Sequence, residues 1–258
     1  MRLRDSVDQA RGIIVDEFGD DHFSVKWHDV EKPTTHHRGS PEGGGLCSID
    51  RVDGGPPAMI ERGPATGEEM VLGFLRAEIE SPRYRDQYAA FFRAIGANTT
   101  ELLERADLQN LQQNNARNSI LRMFRGYGEG VALFQGFPDD ATWRRITVTP
   151  AQIRLFRYAN HPVWIKLTGG TRLVAAGVTN LGKVQIGEGT SENVRGIARR
   201  LERGERFPPL IAVQNAITAD MILVEGHTRA TAYALSNSPN EIDVLLGTSS
   251  GMARWLGL

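Results

Sequence analysis

A single cysteine, Cys47, stands in 258 residues. No disulfide can form within the chain, and without a Cys-x-x-Cys partner the thiol is a poor zinc or redox site. An excess of one charge is also missing. The 30 Lys and Arg stand against 31 Asp and Glu, a formal net charge of -1, which excludes a uniformly basic nucleic-acid coat. No apolar run approaches the ~20 residues of a membrane span, and Met1-Arg2-Leu3-Arg4-Asp5 lacks the apolar stretch of a signal peptide. A cytoplasmic α+β protein is expected, long enough to bury a sizeable core.

What is present falls into three parts. In residues 1–55, Gly12-Ile13-Ile14-Val15 and His22-Phe23-Ser24-Val25-Lys26-Trp27 are short β-rich runs separated by Gly19-Asp20-Asp21. Phe23, Val25 and Trp27 alternate with polar neighbours, and Gly43-Gly44-Gly45 precedes a third run, Leu46-Cys47-Ser48-Ile49. The pattern resembles the small SH3-like β-barrels, which implies a docking module. His28, His36, His37 and Cys47 fit no zinc spacing, because adjacent histidines rarely converge on one metal.

Gly54-Gly55-Pro56-Pro57 and Gly63-Pro64 read as a linker, and residues 65–168 as a helical domain. Val71, Leu72 and Leu75, then Tyr88, Phe91, Phe92 and Ile95, then Leu102, Leu103 and Ala106 recur at helical spacing, with a cap expected at Thr99-Thr100-Glu101. A further amphipathic helix is expected over Asn114 to Tyr127. Gly126-Tyr127-Gly128-Glu129-Gly130 follows a helical pattern and lacks the Lys-Ser/Thr of a P-loop, so it reads as a helix terminus. Phe134 to Asp140 is a turn-rich link. Thr149 then caps a helix with Pro150 at its first position, and the spacing continues through Ile153, Phe156, Tyr158 and Trp164. From Arg144 to Arg206 there are twelve Lys/Arg, four Glu and no Asp, a net +8. This segment either lines a nucleotide or nucleic-acid site or forms solvated helix surfaces.

In residues 169–258, Ser191 to Gly204 reads as a helix with Val194, Ile197, Ala198 and Leu201 inward. Pro208-Pro209 launches the strand Leu210 to Val213. A second strand, Met221 to Val224, turns at Glu225-Gly226-His227-Thr228-Arg229 into a helix through Leu235, and Ile242 to Leu246 is a third strand. The turn holds a carboxylate, an imidazole, a hydroxyl and a guanidinium within five residues, beside backbone N–H groups that a helix start leaves unpaired. Structural readings stand alongside: Glu225 as an acid favoured by the helix dipole, His227 as a packing residue, Thr228 as a capping hydroxyl. Arg229 is poorly placed for the dipole and well placed to clamp phosphate.

The order helix, strand, strand, helix, strand, with an acidic-Gly-x-x-Arg turn, resembles the ParB/sulfiredoxin superfamily, including its free-amino-acid kinase branch, over about residues 185 to 248. The resemblance implies that Gly226, His227, Thr228 and Arg229 bind nucleotide phosphates. It further implies that Glu225 is catalytic or a metal ligand, and that a second catalytic carboxylate is Glu188 or Glu192. Sulfiredoxins need a cysteine where His227 stands, so their sulfur chemistry is not expected. Chromosome-partition members carry Glu-Arg-Arg where His227-Thr228-Arg229 stands, so centromere binding is not expected either. The expected function is an enzyme using Mg²⁺ and a nucleoside triphosphate, ATP or CTP, as a phosphotransferase on a small hydroxyl compound or as an NTPase. The alternative is a non-catalytic nucleotide-sensing module that docks on DNA or protein. A ParB-like nuclease is the third reading.

Overall fold

The computed structural model describes residues 59–187, 189–215, 217–236, 238–239 and 241–257. The expected barrel at 1–55, with His28, His36, His37 and Cys47, lies outside the described residues, as does Glu188.

Five strands form one sheet, β1 (Ile60–Ala65), β2 (Thr142–Val148), β3 (Leu210–Gln214), β4 (Met221–Glu225) and β5 (Ile242–Thr248), in the order β1-β2-β5-β3-β4. Only β3 and β5 pair in parallel. Alternate residues face opposite layers, as the strand period demands. Ile211, Val213, Ile222, Val224, Leu245 and Trp143 pack into one core, and Leu210, Ala212, Leu223, Val244, Leu246 and Ile146 into the other. Burial on both faces explains why β3 and β4 read as continuous apolar runs.

The first face is covered by α1 (Gly67–Glu80), α2 (Arg85–Ala94) and α3 (Leu111–Arg125). Thr66 and Glu69 close a capping box at the start of α1, with N–H to side-chain distances of 3.2 and 3.0 Å. Helix α3 ends at Gly126, φ +76°, where an added Cβ would meet the Val131 carbonyl oxygen at 2.3 Å. The glycine loop is therefore a helix terminus, as its sequence context indicates.

The second face carries short α4 (Pro150–Ile153), α5 (Pro162–Thr168) and α6 (Val174–Asn180), with α7 (Thr190–Glu202) and α8 (His227–Ser236). Val194, Ile197, Ala198 and Leu201 are the buried stripe of α7. The outer edge of β4 is closed by a single residue. Arg157 donates its N–H to Met221 O and accepts from Leu223 N–H, both at 2.8 Å, so the edge offers no free ladder over these residues.

The region expected to be helical, 65–168, contains β2, a strand hydrogen-bonded between β1 and β5. Its β-branched Thr142, Ile146, Thr147 and Val148 were the missed signal. The supposed linker Gly63-Pro64 belongs to β1, an edge strand with a register shift at Glu61/Gly63, the setting in which strand proline is tolerated. Helical spacing does not run from Ile153 to Trp164, because the chain becomes extended to make the Arg157 bridge. At the cap expected over Thr99-Thr100-Glu101, the N-cap position is Thr99 of a helical turn, Thr100–Glu104, but the accepting side chain is that of Asn98, whose Oδ1 takes Thr100 N–H at 3.1 Å and Glu101 N–H at 3.3 Å.

Candidate functional site

Strand β4 ends at Glu225, and Gly226 turns the chain with φ +93° into α8. A Cβ at Gly226 would lie 2.4 Å from Leu210 Cδ2, so both conformation and space demand glycine. The first helical hydrogen bond of α8 runs from Ala230 N–H to Gly226 O at 2.7 Å. Ahead of it, the N–H groups of His227, Thr228 and Arg229 have no acceptor among the described residues. Three donors thus stand at the positive end of a ten-residue helix.

Arg229 does not point at open solvent. It is 7% exposed, pairs with the Glu225 carboxylate, and donates through Nη1 to the carbonyls of Pro208 and Pro209. The guanidinium therefore ties the start of β3 to the end of β4. Burial pushes the Glu225 carboxyl above its usual range, Arg229 pulls it back down, and Glu78 on α1 adds to the rise. Gly226 N–H also donates to this carboxylate.

His227 is held by aromatic stacking and one hydrogen bond. Its ring lies 5.4 Å from Trp164 at 10° and 6.0 Å from Tyr158 at 18°, and Tyr158 and Trp164 stack at 4.6 Å. Nε2 accepts from Ala159 N–H at 3.2 Å, which assigns the ring proton of the neutral form to Nδ1. Burial lowers the His227 pKa to about 3, with His161 and Arg229 opposing its charge further. The imidazole is neutral at pH 7. Tyr158 Oη meets Thr231 Oγ1 at 2.7 Å, and Thr231 donates to His227 O at 2.8 Å, so the hydroxyl chain fixes the first turn of α8. Periodicity along the chain gave no hint of Tyr158, His161 or Trp164 at the site.

Of the proposed acids, Glu225 sits in the turn, and Glu192 is exposed in the first turn of α7. Thr228 is half-buried, with no protein partner for its hydroxyl among the described residues. Among the described residues no group of three or more His, Cys, Asp or Glu could hold a metal ion. A cavity of about 400 Å³ opens between α5 and Gln185-Ile186-Gly187. Another of about 460 Å³ lies at Tyr127 to Gly130 and Phe137 to Asp139. Neither is lined by the turn, where the chemical groups are. No helix among the described residues is long and apolar enough to cross a membrane.

Compared with protein-family models, curated proteins and solved structures, the chain matches none of them.

The basic segment divides in two. Arg145, Arg157 and Arg200 pair with Glu69, Asp220 and Glu205, while Arg144, Arg154 and Arg172 bond to Gln214, Ala234 O and Gly257 O. Lys166, Lys183, Arg195, Arg199, Arg203 and Arg206 remain exposed.

Proposed function

We propose that this chain binds a nucleoside triphosphate at the β4–α8 turn and transfers its terminal phosphoryl group to a small hydroxyl compound or to water. The observation that carries the reading is the convergence of three N–H groups, at His227, Thr228 and Arg229, that have no acceptor among the described residues, beside the Glu225 carboxylate. Backbone donors at a helix start bind phosphate oxygens without a charged side chain. Arg229 acts from behind, holding Glu225 and the turn in place. The acceptor oxygen attacks the terminal phosphorus, its proton passes to Glu225, and the bond to the leaving nucleoside diphosphate breaks. Burial favours this role, because a carboxylate whose pKa is raised is a stronger base. The described residues do not fit a protein-built Mg²⁺ cage, since Arg229 and Gly226 already engage Glu225. Mg²⁺ would enter with the nucleotide, as its counter-ion, rather than on protein ligands. Neutral His227 and its aromatic stack orient the turn.

The test pairs binding with turnover. Thermal unfolding with Mg²⁺ and ATP, CTP, GTP, ADP or phosphate should show a several-degree rise with a triphosphate, because a ligand at ~100 times its Kd adds about 2.7 kcal/mol. Glu225→Gln should keep that shift and lose phosphoryl transfer. Wild-type turnover in Glu225→Gln ends the catalytic assignment.

A second reading, nucleotide-sensing docking on DNA, is favoured by seven exposed cations from Lys166 to Arg206, of which Arg200 pairs with Glu205. It expects log–log salt dependence with a slope of roughly -0.9 per phosphate contact. No DNA shift at low salt removes it.

A further inference from the structure

The cavity of about 460 Å³ lies between the glycine loop that ends α3 and the link into β2, lined by Tyr127 to Gly130 on one side and Phe137 to Asp139 on the other. Its size is that of a small-molecule pocket, and none of its residues belongs to the β4–α8 turn.

The glycines of the loop differ in what stands beside them. Gly126 is packed against the Val131 carbonyl. Gly128 and Gly130 have φ +74° and +64°, yet an added Cβ would meet only Arg122 Nη2, at 3.7 Å, in the first case and nothing within 4 Å in the second. Backbone conformation demands glycine at both, and the space beside them stays open. The carbonyls of Gly128 and Gly130 receive no N–H among the described residues. The aromatic part of the lining is firmly set. Tyr127 and Phe137 both lean on the buried Phe134 ring, with centroids 5.0 and 5.2 Å away, and Phe137 N–H donates to Phe134 O at 3.0 Å. At Gly136, φ +75°, an added Cβ would run into Arg254 O.

The charged side chains on the lining are both carboxylates, Glu129 and Asp139. Glu129 is partly answered by Arg122, 4.0 Å away. Asp139 is exposed and has no hydrogen bond or ion pair among the described residues. The Tyr127 hydroxyl, on a half-buried ring, has no hydrogen-bond partner among them either. Burial raises its pKa, with Glu68 and Asp139 adding to the rise, so at pH 7 it is a neutral phenol able to accept a hydrogen bond.

We infer that this cavity binds a small primary amine in its ammonium form, the charged head among Asp139, Tyr127 Oη and the loop carbonyls, the carbon chain against Tyr127 and Phe137. An ammonium group has three N–H donors and no acceptor. The lining supplies acceptors, one of them charged, and aromatic rings that favour a cation over an anion. A neutral molecule of the same shape leaves Asp139 without its partner, and an anion meets two carboxylates. The amine site goes beyond the phosphoryl-transfer reading and does not depend on it.

The experiment is an NMR and calorimetric titration of the full chain at pH 7 with n-hexylamine, against 1-hexanol and hexanoate as neutral and anionic probes of equal length. The amine should shift the Gly128 and Gly130 amide signals to saturation, with the alcohol at least tenfold weaker and the carboxylate without effect. Asp139→Asn, a change at an exposed side chain, should weaken amine binding about tenfold or more, the worth of a hydrogen bond to a charged group. Tyr127→Phe keeps the ring, removes only the hydroxyl, and should weaken binding by about three- to tenfold. Undiminished amine binding in Asp139→Asn overturns the inference. So does 1-hexanol binding as tightly as n-hexylamine, or the lack of a saturable shift at Gly128 and Gly130.

Discussion

Replacing Arg229 by alanine strands a carboxylate. Arg229 is 7% exposed, and its guanidinium holds Glu225 on one side and the Pro208 and Pro209 carbonyls on the other. Glu225 is itself 18% exposed at its side chain, so water cannot fully replace the lost partner. Removing one member of a buried ion pair costs about 3–5 kcal/mol. At roughly 2–4 °C per kcal/mol for a chain of this size, the melting point should fall by about 6–20 °C. The assay is thermal unfolding of the nucleotide-free protein at pH 7, completed as a cycle with Glu225→Gln and the double variant. Removing the carboxylate as well should recover part of the loss, because the dominant penalty is the stranded charge rather than the missing contact. An Arg229→Ala protein within about 1 kcal/mol of wild type, with no recovery in the cycle, would refute the reasoning. Arg229 would then be a free phosphate clamp rather than a structural tie.

Two glycines should respond with opposite signs. Gly226→Ala places a Cβ against Leu210 at φ +93° and should destabilise by about 1–3 kcal/mol, read by urea unfolding. Gly73→Ala, inside α1, meets Leu245 and Pro209 at ordinary contact distances of 3.5 and 3.7 Å and should stabilise by about 0.5–1 kcal/mol. His227 provides a pH signature. Its folded pKa, about 3, lies below the unfolded value of about 6.5, so its contribution is full above the unfolded value and is lost as pH falls towards 3. The difference in stability between wild type and His227→Gln should therefore shrink with a slope approaching 1.4 kcal/mol per pH unit across that window, followed by urea unfolding at pH 7, 5 and 4. Parallel curves for the two proteins would show that His227 does not lose a proton preference on folding.

Local features were legible in the residues because they depend on neighbours in the chain. Val194, Ile197, Ala198 and Leu201 mark the buried stripe of α7 by spacing alone, and they are buried. Gly126 and Gly204, with φ +76° and +81°, end helices where glycine adopts a backbone that other residues resist. Pro150 follows its Thr149 cap, although the helix lasts only four residues because the chain then extends to pair with β4. The elements from Thr190 to Thr248 appear in the expected order. The cluster of chemical groups at residues 225–229 was equally visible, since five consecutive residues need no folding to be adjacent.

Tertiary structure alone decided what those groups do to one another. Alternation reports that a strand is buried but not which strand it joins, so the place of β2 between β1 and β5 depends on pairing across distant segments. Arg229 looked like a phosphate clamp in the sequence. The fold brings Pro208, Pro209 and Glu225 to it, and desolvation makes those partners its strongest claim. Tyr158, Trp164 and His227 become one stack only because Tyr158, between α4 and α5, and Trp164, in α5, pack against the start of α8. Glu78 meets Tyr88 and Arg125 because α1 packs against α2 and α3. Periodicity records which face of each element is apolar, whereas charge partners are chosen by where chain closure and packing leave the polar groups.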